Sequence, residues 1–313
     1  MGGVVSRLGP EHSGPLARLW QEANDRRTTE LGLAAMVESA PVLARPGSFG
    51  VGVLDGGALL SAAVAMPARG DDGRSSRNVA GLAHISSVAT DPTRWGEGLA
   101  TVSLTAVMSQ ARRRGYARCQ LWVFQDNGGA RHVYEKAGFE PSGRPPRSHD
   151  HDAPMVHYVT ELTAPPPIAR EAARVLCLDD SGRVLLMHWR DRVDGHQLWE
   201  PPGGGVEPGE EPIDAVRREW VEETGLPVPQ LAAASTTVAR DVFWAGGRLV
   251  GEETFFLARM PVALTPEPAA LTASERVEYL GSAWVGPSDF STLAYDGDPV
   301  EPDLAPVLER LDA

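Results

Sequence analysis

The run Ala164-Pro165-Pro166-Pro167 constrains this chain more than any other segment. Three consecutive prolines lack backbone N–H donors and fix φ, so they neither continue a helix nor pair inside a sheet, and they favour a stiff, extended spacer. The run divides 313 residues into two stretches of ordinary domain size. The expected organisation is a first domain over residues 1–163, a spacer over 164–168 and a second domain over 169–313.

Charge divides at the same place. Residues 1–165 carry 17 Lys+Arg against 16 Asp+Glu, a net +1, and residues 166–313 carry 12 against 26, a net −14. The overall charge of −13 opposes sequence-independent nucleic-acid binding, which needs a basic footprint. With 42% hydrophobic and 23% charged residues, the composition is globular and excludes disorder, coiled coil and collagen. No apolar run approaches the roughly 20 residues that span a bilayer, and the first residues lack the long apolar core of a secretion signal. The expectation is a cytoplasmic protein with no membrane partner. Cys119 and Cys177, one in each half, are too few for a disulfide framework or a zinc site and read as small buried hydrophobes.

Both halves alternate strand and helix patterns, which predicts an α/β (α+β) chain. In the first half, Leu16, Leu19, Trp20 and Ala23 share helical spacing within residues 12–27, and residues 48–60 read as a hairpin turning at Asp55-Gly56-Gly57. Strands are expected at 80–89, 117–124 and 155–162, and helices at 98–114 and 129–137. His149-Asp150-His151-Asp152 has metal-capable side chains but falls in a polar tail, 142–152, and reads as loop. In the second half, strands are expected at 172–178, 183–189, 236–244 and 252–259. A Gly/Pro loop, 201–209, leads into a charged helix over 212–224 closed by Gly225, and a last helix is expected over 299–311. No internal repeat relates the halves.

On that charged helix, Glu219, Glu222 and Glu223 stand at i, i+3 and i+4, so the three carboxylates project within about one turn of each other. A solvated acidic face is the ordinary meaning of such a run. The repulsion becomes favourable when a hard divalent cation sits among the carboxylates, and glycines just ahead of the helix let a backbone carbonyl approach the ion. The complete spacing is more specific. Gly204, Glu210, Arg218-Glu219-Trp220, Glu222-Glu223 and Gly225-Leu226 fill every fixed position of Gly-x5-Glu-x7-Arg-Glu-U-x-Glu-Glu-x-Gly-U, where U is bulky and apolar. Leu198-Trp199-Glu200-Pro201-Pro202-Gly203-Gly204 precedes it.

This segment resembles the Nudix box. The resemblance implies an α/β/α sandwich over about residues 169–311 that hydrolyses a nucleotide or nucleoside-diphosphate derivative with Mg²⁺ or Mn²⁺. It further implies that Glu219 and Glu223 ligate the metal, that Glu222 helps position the attacking water and shares in the metal site, that the Gly204 carbonyl completes that site, and that Glu210 and Arg218 orient the carboxylates. Glu252 and Glu253 are candidates for a further acid from a later strand. Arg190 and Arg192 are candidates for phosphate contact.

In the first half, Val88-Ala89-Thr90 runs through Arg94-Trp95-Gly96-Glu97-Gly98 into Leu99-Ala100-Thr101, a strand entering a helix through a glycine turn. Such a turn exposes helix N-terminal N–H groups and admits a pyrophosphate where Cβ atoms would obstruct it. A second element follows: Asn127, Ala130, Tyr134, Gly138-Phe139.

Together these resemble the acyl-CoA loop and the Asn-x-x-Ala-x-x-x-Tyr-x-x-x-Gly-Phe segment of the GNAT superfamily of N-acyltransferases. The resemblance covers about residues 4–162 and implies a mixed sheet splayed around the cofactor. Trp95 stands where the family has Gln or Arg. By the same resemblance, acetyl-CoA or another acyl-CoA would pair along the backbone at Val88 and Ala89, with its pyrophosphate on the amides from Gly96 and Gly98 through Leu99, Ala100 and Thr101. Asn127 would line the channel, Tyr134 would protonate the departing thiolate, and His84 is the candidate base for a small-molecule amine acceptor.

The expected protein therefore joins a GNAT-like acyltransferase to a Nudix hydrolase. The alternative is an active hydrolase whose GNAT-like half holds CoA or another ligand without transferring an acyl group.

Overall fold

The computed structural model describes residues 3–32, 43–69, 77–148, 153–293 and 300–311. The polar loop at 71–76, the His149–Asp152 stretch and Pro299, the expected start of the terminal helix, lie outside them. The chain forms two compact units: Met1–Ala164 with Arg192–His196, and Pro165–Asp191 with Gln197–Ala313.

The first unit contains β1 (Val4–Leu8), α1 (Ser13–Leu31), β2 (Phe49–Asp55), β3 (Ala58–Arg69), β4 (Asn78–Thr90), α2 (Leu99–Arg113), β5 (Arg118–Phe124), α3 (Gly128–Lys136), β6 (Glu140–Pro141), β7 (Arg147–Ser148) and β8 (Pro154–Glu161). One sheet runs β1-β2-β3-β4-β5-β8-β6, with β7 on β8. Its pairs are antiparallel except β4 with β5. Alternation along β3 separates two cores. Ala62 and Val64 pack with Leu16 and Leu19 of α1, whereas Ala63 and Ala65 face Leu104, Val107 and Ala111 of α2. Each buried leucine contributes about 2 kcal/mol. The β2–β3 turn places both Gly56 and Gly57 at positive φ, 55° and 86°, which explains the hairpin signal.

The second unit contains β9 (Pro167–Ala169), β10 (Ala172–Asp179), β11 (Val184–Arg190), β12 (Gln197–Glu200), β13 (Gly203–Gly205), α4 (Pro212–Thr224), β14 (Leu231–Trp244), β15 (Gly247–Met260), α5 (Glu275–Glu278), β16 (Tyr279–Val285) and α6 (Ala305–Leu311). The sheet runs β12-β11-β10-β15-β14, with β13 on β10, β16 on β11 and β9 on β15. Alternation along β10 again makes two cores. Ala173, Val175 and Cys177 pack with Ala215, Val216 and Trp220 of α4, and Leu176 and Leu178 pack with Leu304, Val307 and Leu311 around α6. Helices thus cover both faces of a mixed sheet, as expected of an α/β/α sandwich.

Several expectations change: among the described residues the terminal helix begins at Ala305, and Arg192–His196 group with the first unit. Pro167 and Ile168, assigned to the spacer, lie in a short parallel strand against Arg248–Val250. Part of the expected 201–209 loop is strand β13, whose Gly203–Gly205 pair with Ala172–Arg174. A Cβ at Gly203 would fall on the Ala173 carbonyl, so that pairing requires glycine. Both cysteines are buried and free, and burial pushes each thiol up to about 12.

Candidate functional site

In the first unit, β4 and β5 pair only at Leu82–Arg118, Ala83–Cys119 and His84–Gln120. Beyond His84 they part. The parting coincides with a bulge, since Val64 opposes Ser87 while Ala65 opposes Ile85, and the skipped Ser86 hydroxyl donates to the Val64 carbonyl at 3.2 Å. A cavity of about 510 Å³ opens at the fork. Val88, Ala89, Gly96, Gly98, Leu99, Ala100, Thr101, Asn127 and Tyr134 all line it, so the fold brings these expected residues together.

Gly96 and Gly98 sit at φ 87° and 82°, the left-handed region that side chains avoid. The first turn of α2 has no side-chain cap and no acidic residue, which leaves its N–H groups available to an anion. Trp95 has a structural part: its indole N–H donates to the Thr90 carbonyl at 2.9 Å and ties the loop to the end of β4. Arg94 is held by Glu97 through two bonds of 2.7 Å. The Asn127 carboxamide oxygen accepts the Ala130 N–H at 3.1 Å, so this residue caps α3 as well as lining the cavity. Burial pushes the Tyr134 hydroxyl up to about 12, and no described residue hydrogen-bonds to it. It is therefore a protonated donor facing the cavity rather than a tied core phenol.

His84 departs from expectation. It is not among the cavity-lining residues. Burial, with Arg147 nearby, pushes it down to about 4, so it stays neutral. It sits where β4 is still paired with β5, below the fork, and the base role expected of it is withdrawn for that reason.

In the second unit, Glu219 and Glu223 point from α4 at the glycines of β13. Gly203 donates its N–H to Glu223 at 3.0 Å, and a Cβ at Gly204 would fall on the Glu219 carboxylate. Burial raises both carboxyls, that of Glu223 well above the usual range; Arg174 opposes this for Glu223, and Glu200 and Glu219 add to it. Glu222 diverges, because on a helix it lies on the far side of Glu219 from Glu223. Its carboxylate is 40% exposed and meets Arg218 at 3.4 Å. Arg218 also holds Glu210 by 3.0 and 2.9 Å bonds, Glu219 at 2.9 Å and the Gly205 carbonyl at 2.9 Å. It fastens helix, loop and strand as one piece.

Arg174 is a site residue that sequence reading missed. Buried on β10, it pairs with Glu200 and Glu253 and donates to the carbonyls of Pro201 and Gly203. Arg240 takes the other Glu253 oxygen at 3.1 Å. Glu252 and Glu253 both line a cavity of about 200 Å³ with Gly204, Glu219 and Glu223; Glu253 is buried and locked between two guanidinium groups, whereas Glu252 is exposed. Arg190 donates instead to the Val277 carbonyl at 3.2 Å, and Arg192 groups with the first unit. The only signal for Arg174 was an arginine inside an apolar strand, which is rarely buried without a charged partner.

Among the described residues, no three His, Cys, Asp or Glu side chains converge tightly enough to hold an ion by themselves. What converges is a pair of buried carboxylates with the backbone of Gly203 and Gly204. Two carboxylates with mutual repulsion that a cation would relieve fit Mg²⁺ or Mn²⁺.

The NUDIX domain family model matches residues 169–309, and the Acetyltransferase (GNAT) family model matches residues 16–139. The chain is 51% identical over 45 residues to the RNA pyrophosphohydrolase of Bartonella clarridgeiae, covering 14% of this chain and 26% of that one. It is 34% identical over 95 residues to the RNA pyrophosphohydrolase of Halorhodospira halophila, covering 28% and 50%. The chain thus spans between a quarter and a half of these relatives. Among solved structures it is similar to the ribosomal-protein-S18-alanine N-acetyltransferase of Escherichia coli (16% identity, 52% and 96% of the two chains, TM-score 0.38). It is similar also to the MutT protein of Methanosarcina mazei Go1 (20% identity, 48% and 94%, TM-score 0.34).

The fold and sites define a mixed α/β protein of two units, one with a strand fork over a helix start and the other with an acidic helix against a glycine strand. The chain carries a GNAT acetyltransferase-family domain followed by a Nudix domain. Among the described residues, no helix is long and apolar enough to cross a membrane.

Proposed function

We propose that the second domain hydrolyses a nucleoside-diphosphate derivative and that the first transfers an acyl group from acyl-CoA to an amine. The hydrolase reading rests on one observation above the others: the Glu219 carboxylate seated on Gly204 beside Glu223 on Gly203. Glu219, Glu223 and the Gly204 carbonyl would hold Mg²⁺ or Mn²⁺, which would supply water activation and charge compensation on the phosphates. Arg218 and Arg174 keep those carboxylates in place. Glu222, more open to solvent, orients the attacking water, and Glu252 is better placed than Glu253 to add a further acid.

In the first domain, the start of α2 holds the CoA pyrophosphate and the forked edge of β4 pairs with the pantetheine arm. The acceptor nitrogen forms a C–N bond to the acyl carbon as the C–S bond breaks. The departing thiolate takes the Tyr134 proton, and the proton lost by the amine passes to water. A second reading, a CoA-binding module without turnover, is favoured by the position of His84, which leaves the acceptor amine without an assigned base.

A screen of nucleoside-diphosphate derivatives with Mg²⁺, scored by released phosphate or nucleotide, tests the first activity. RNA belongs in that screen because the matched relatives are RNA pyrophosphohydrolases, and the acidic second domain sets the expectation that small nucleotides react better. Glu223→Gln should remove most of the metal-dependent product while the protein stays folded; unchanged turnover would refute the metal assignment. Thiol release from acetyl-CoA with a panel of amines separates acyl transfer from CoA binding alone.

A further inference from the structure

Positive charge stands at the β5 end of the first domain's cavity that CoA binding does not use. Trp122 and Phe124 are two residues apart on β5, so their rings share one face of the strand, and both line the cavity. Each ring carries a guanidinium, Arg27 at 5.1 Å from the centroid of Phe124 and Arg147 at 4.0 Å from that of Trp122. Of the two, only Arg27 lines the cavity, and it is 8% exposed. It comes from α1, close enough to Tyr134 to feel that hydroxyl, whereas the pyrophosphate is assigned to the start of α2. Arg27 donates to the Asn24 side-chain oxygen at 3.3 Å, and Asp126, an acid whose charge acts on it, is exposed and lies outside the cavity lining.

The cavity's own lining sharpens the point. Among the described residues no Asp or Glu side chain lines it. A pocket for a polyamine or another multiply cationic acceptor needs carboxylates to offset the second charge; here that charge would meet a buried guanidinium at low dielectric. An acceptor with a negative group meets a planar, forked donor suited to carboxylate and phosphate alike. The aromatic and thioether walls of Trp20, Trp122, Phe124 and Met155 suit an apolar body between the two ends.

We infer that the acyl acceptor is an amine that also bears an anionic group, a carboxylate or a phosphate, bound by Arg27. This rests on the acyl-CoA reading and deepens it.

The test uses the full-length protein saturated with CoA, with calorimetry of matched pairs: methionine against methioninamide, and phosphoethanolamine against ethanolamine, with spermidine as the multiply cationic control. The same compounds are assayed for thiol release from acetyl-CoA. The expected result is binding of at least one member with the anionic group about tenfold or more tighter than its partner lacking that group, with spermidine weakest. The first pair reports a carboxylate and the second a phosphate. Arg27→Met, which keeps the packing stem and removes the charge, should abolish the preference; Arg27→Lys should keep part of it; CoA affinity in both should stay at the wild-type value, which also shows that they fold. Equal binding within each pair, preference for spermidine, or an anion preference that survives Arg27→Met would overturn the inference. Anion-selective binding without thiol release would uphold this subsite while removing the acyltransferase reading, so the two fail separately.

Discussion

The carboxylate of Glu219 occupies the space that a Cβ at Gly204 would fill. The box pattern demands a glycine there for a steric reason visible in one contact: strand β13 passes so close to α4 that only a bare backbone leaves room for the acid.

Gly204→Ala should therefore displace Glu219 while the core of α4, built on Ala215, Val216 and Trp220, keeps its packing. We expect metal-dependent hydrolysis to fall by about 10- to 100-fold with little change in thermal unfolding. Product release at several Mg²⁺ concentrations checks this, since a displaced ligand shows as a higher metal requirement. Wild-type turnover at low Mg²⁺ would count against it.

Glu97 holds Arg94 in the glycine turn before α2 by two bonds of 2.7 Å. Glu97→Gln weakens that clamp and removes a negative charge next to the expected pyrophosphate. CoA should bind several-fold tighter, and the gain should shrink as salt is raised, because both groups are at the surface. Titration calorimetry at two ionic strengths measures it.

Tyr134 keeps its proton until about 12 and faces the cavity. Tyr134→Phe should lower acyl transfer by about 100-fold or more with CoA affinity preserved, the signature of a lost general acid. Equal loss of CoA binding would mean that the ring, rather than the hydroxyl, matters.

His84 is held neutral by burial, with its folded pKa near 4 against an ordinary 6.5. A histidine depressed in this way contributes stability that is fully present above the unfolded value and is lost as pH falls from about 6.5 through 4. The loss should approach about 3 kcal/mol at the acid end, from 1.36 kcal/mol per pH unit. His84→Gln should flatten this part of the unfolding profile. Because His84 lies off the cavity, acyl transfer near neutral pH should change by no more than a few-fold. A loss of about 100-fold or more with CoA binding intact would restore it as the base.

Much of both sites was legible because it is local. The 3.6-residue repeat predicts α4 over the residues it occupies, and Gly225, at φ 66°, ends it as expected. The i, i+4 spacing puts Glu219 and Glu223 together. The glycine turn before α2 and the N-cap at Asn127 are equally short-range. What escaped depended on neighbours distant in sequence. Nothing near Gly203 marks it as a strand partner of Arg174, and nothing near His84 reveals that β4 leaves β5 just after it. Glu252 and Glu253 were indistinguishable as a pair until strand alternation turned one outward and the other onto Arg174 and Arg240.

The sequence by itself determined the two families, the order of their domains, the acidic helix and the glycine turn before α2, because each is written in spacings shorter than one helix and loop. Only the tertiary structure decided which of the three glutamates face the glycine strand, that Arg174 and Arg240 claim Glu253, and that Arg27 from α1 reaches the ring of Phe124. These outcomes turn on strand register and on packing between distant segments, where one residue of slip moves a side chain to the opposite face and no local spacing records the choice.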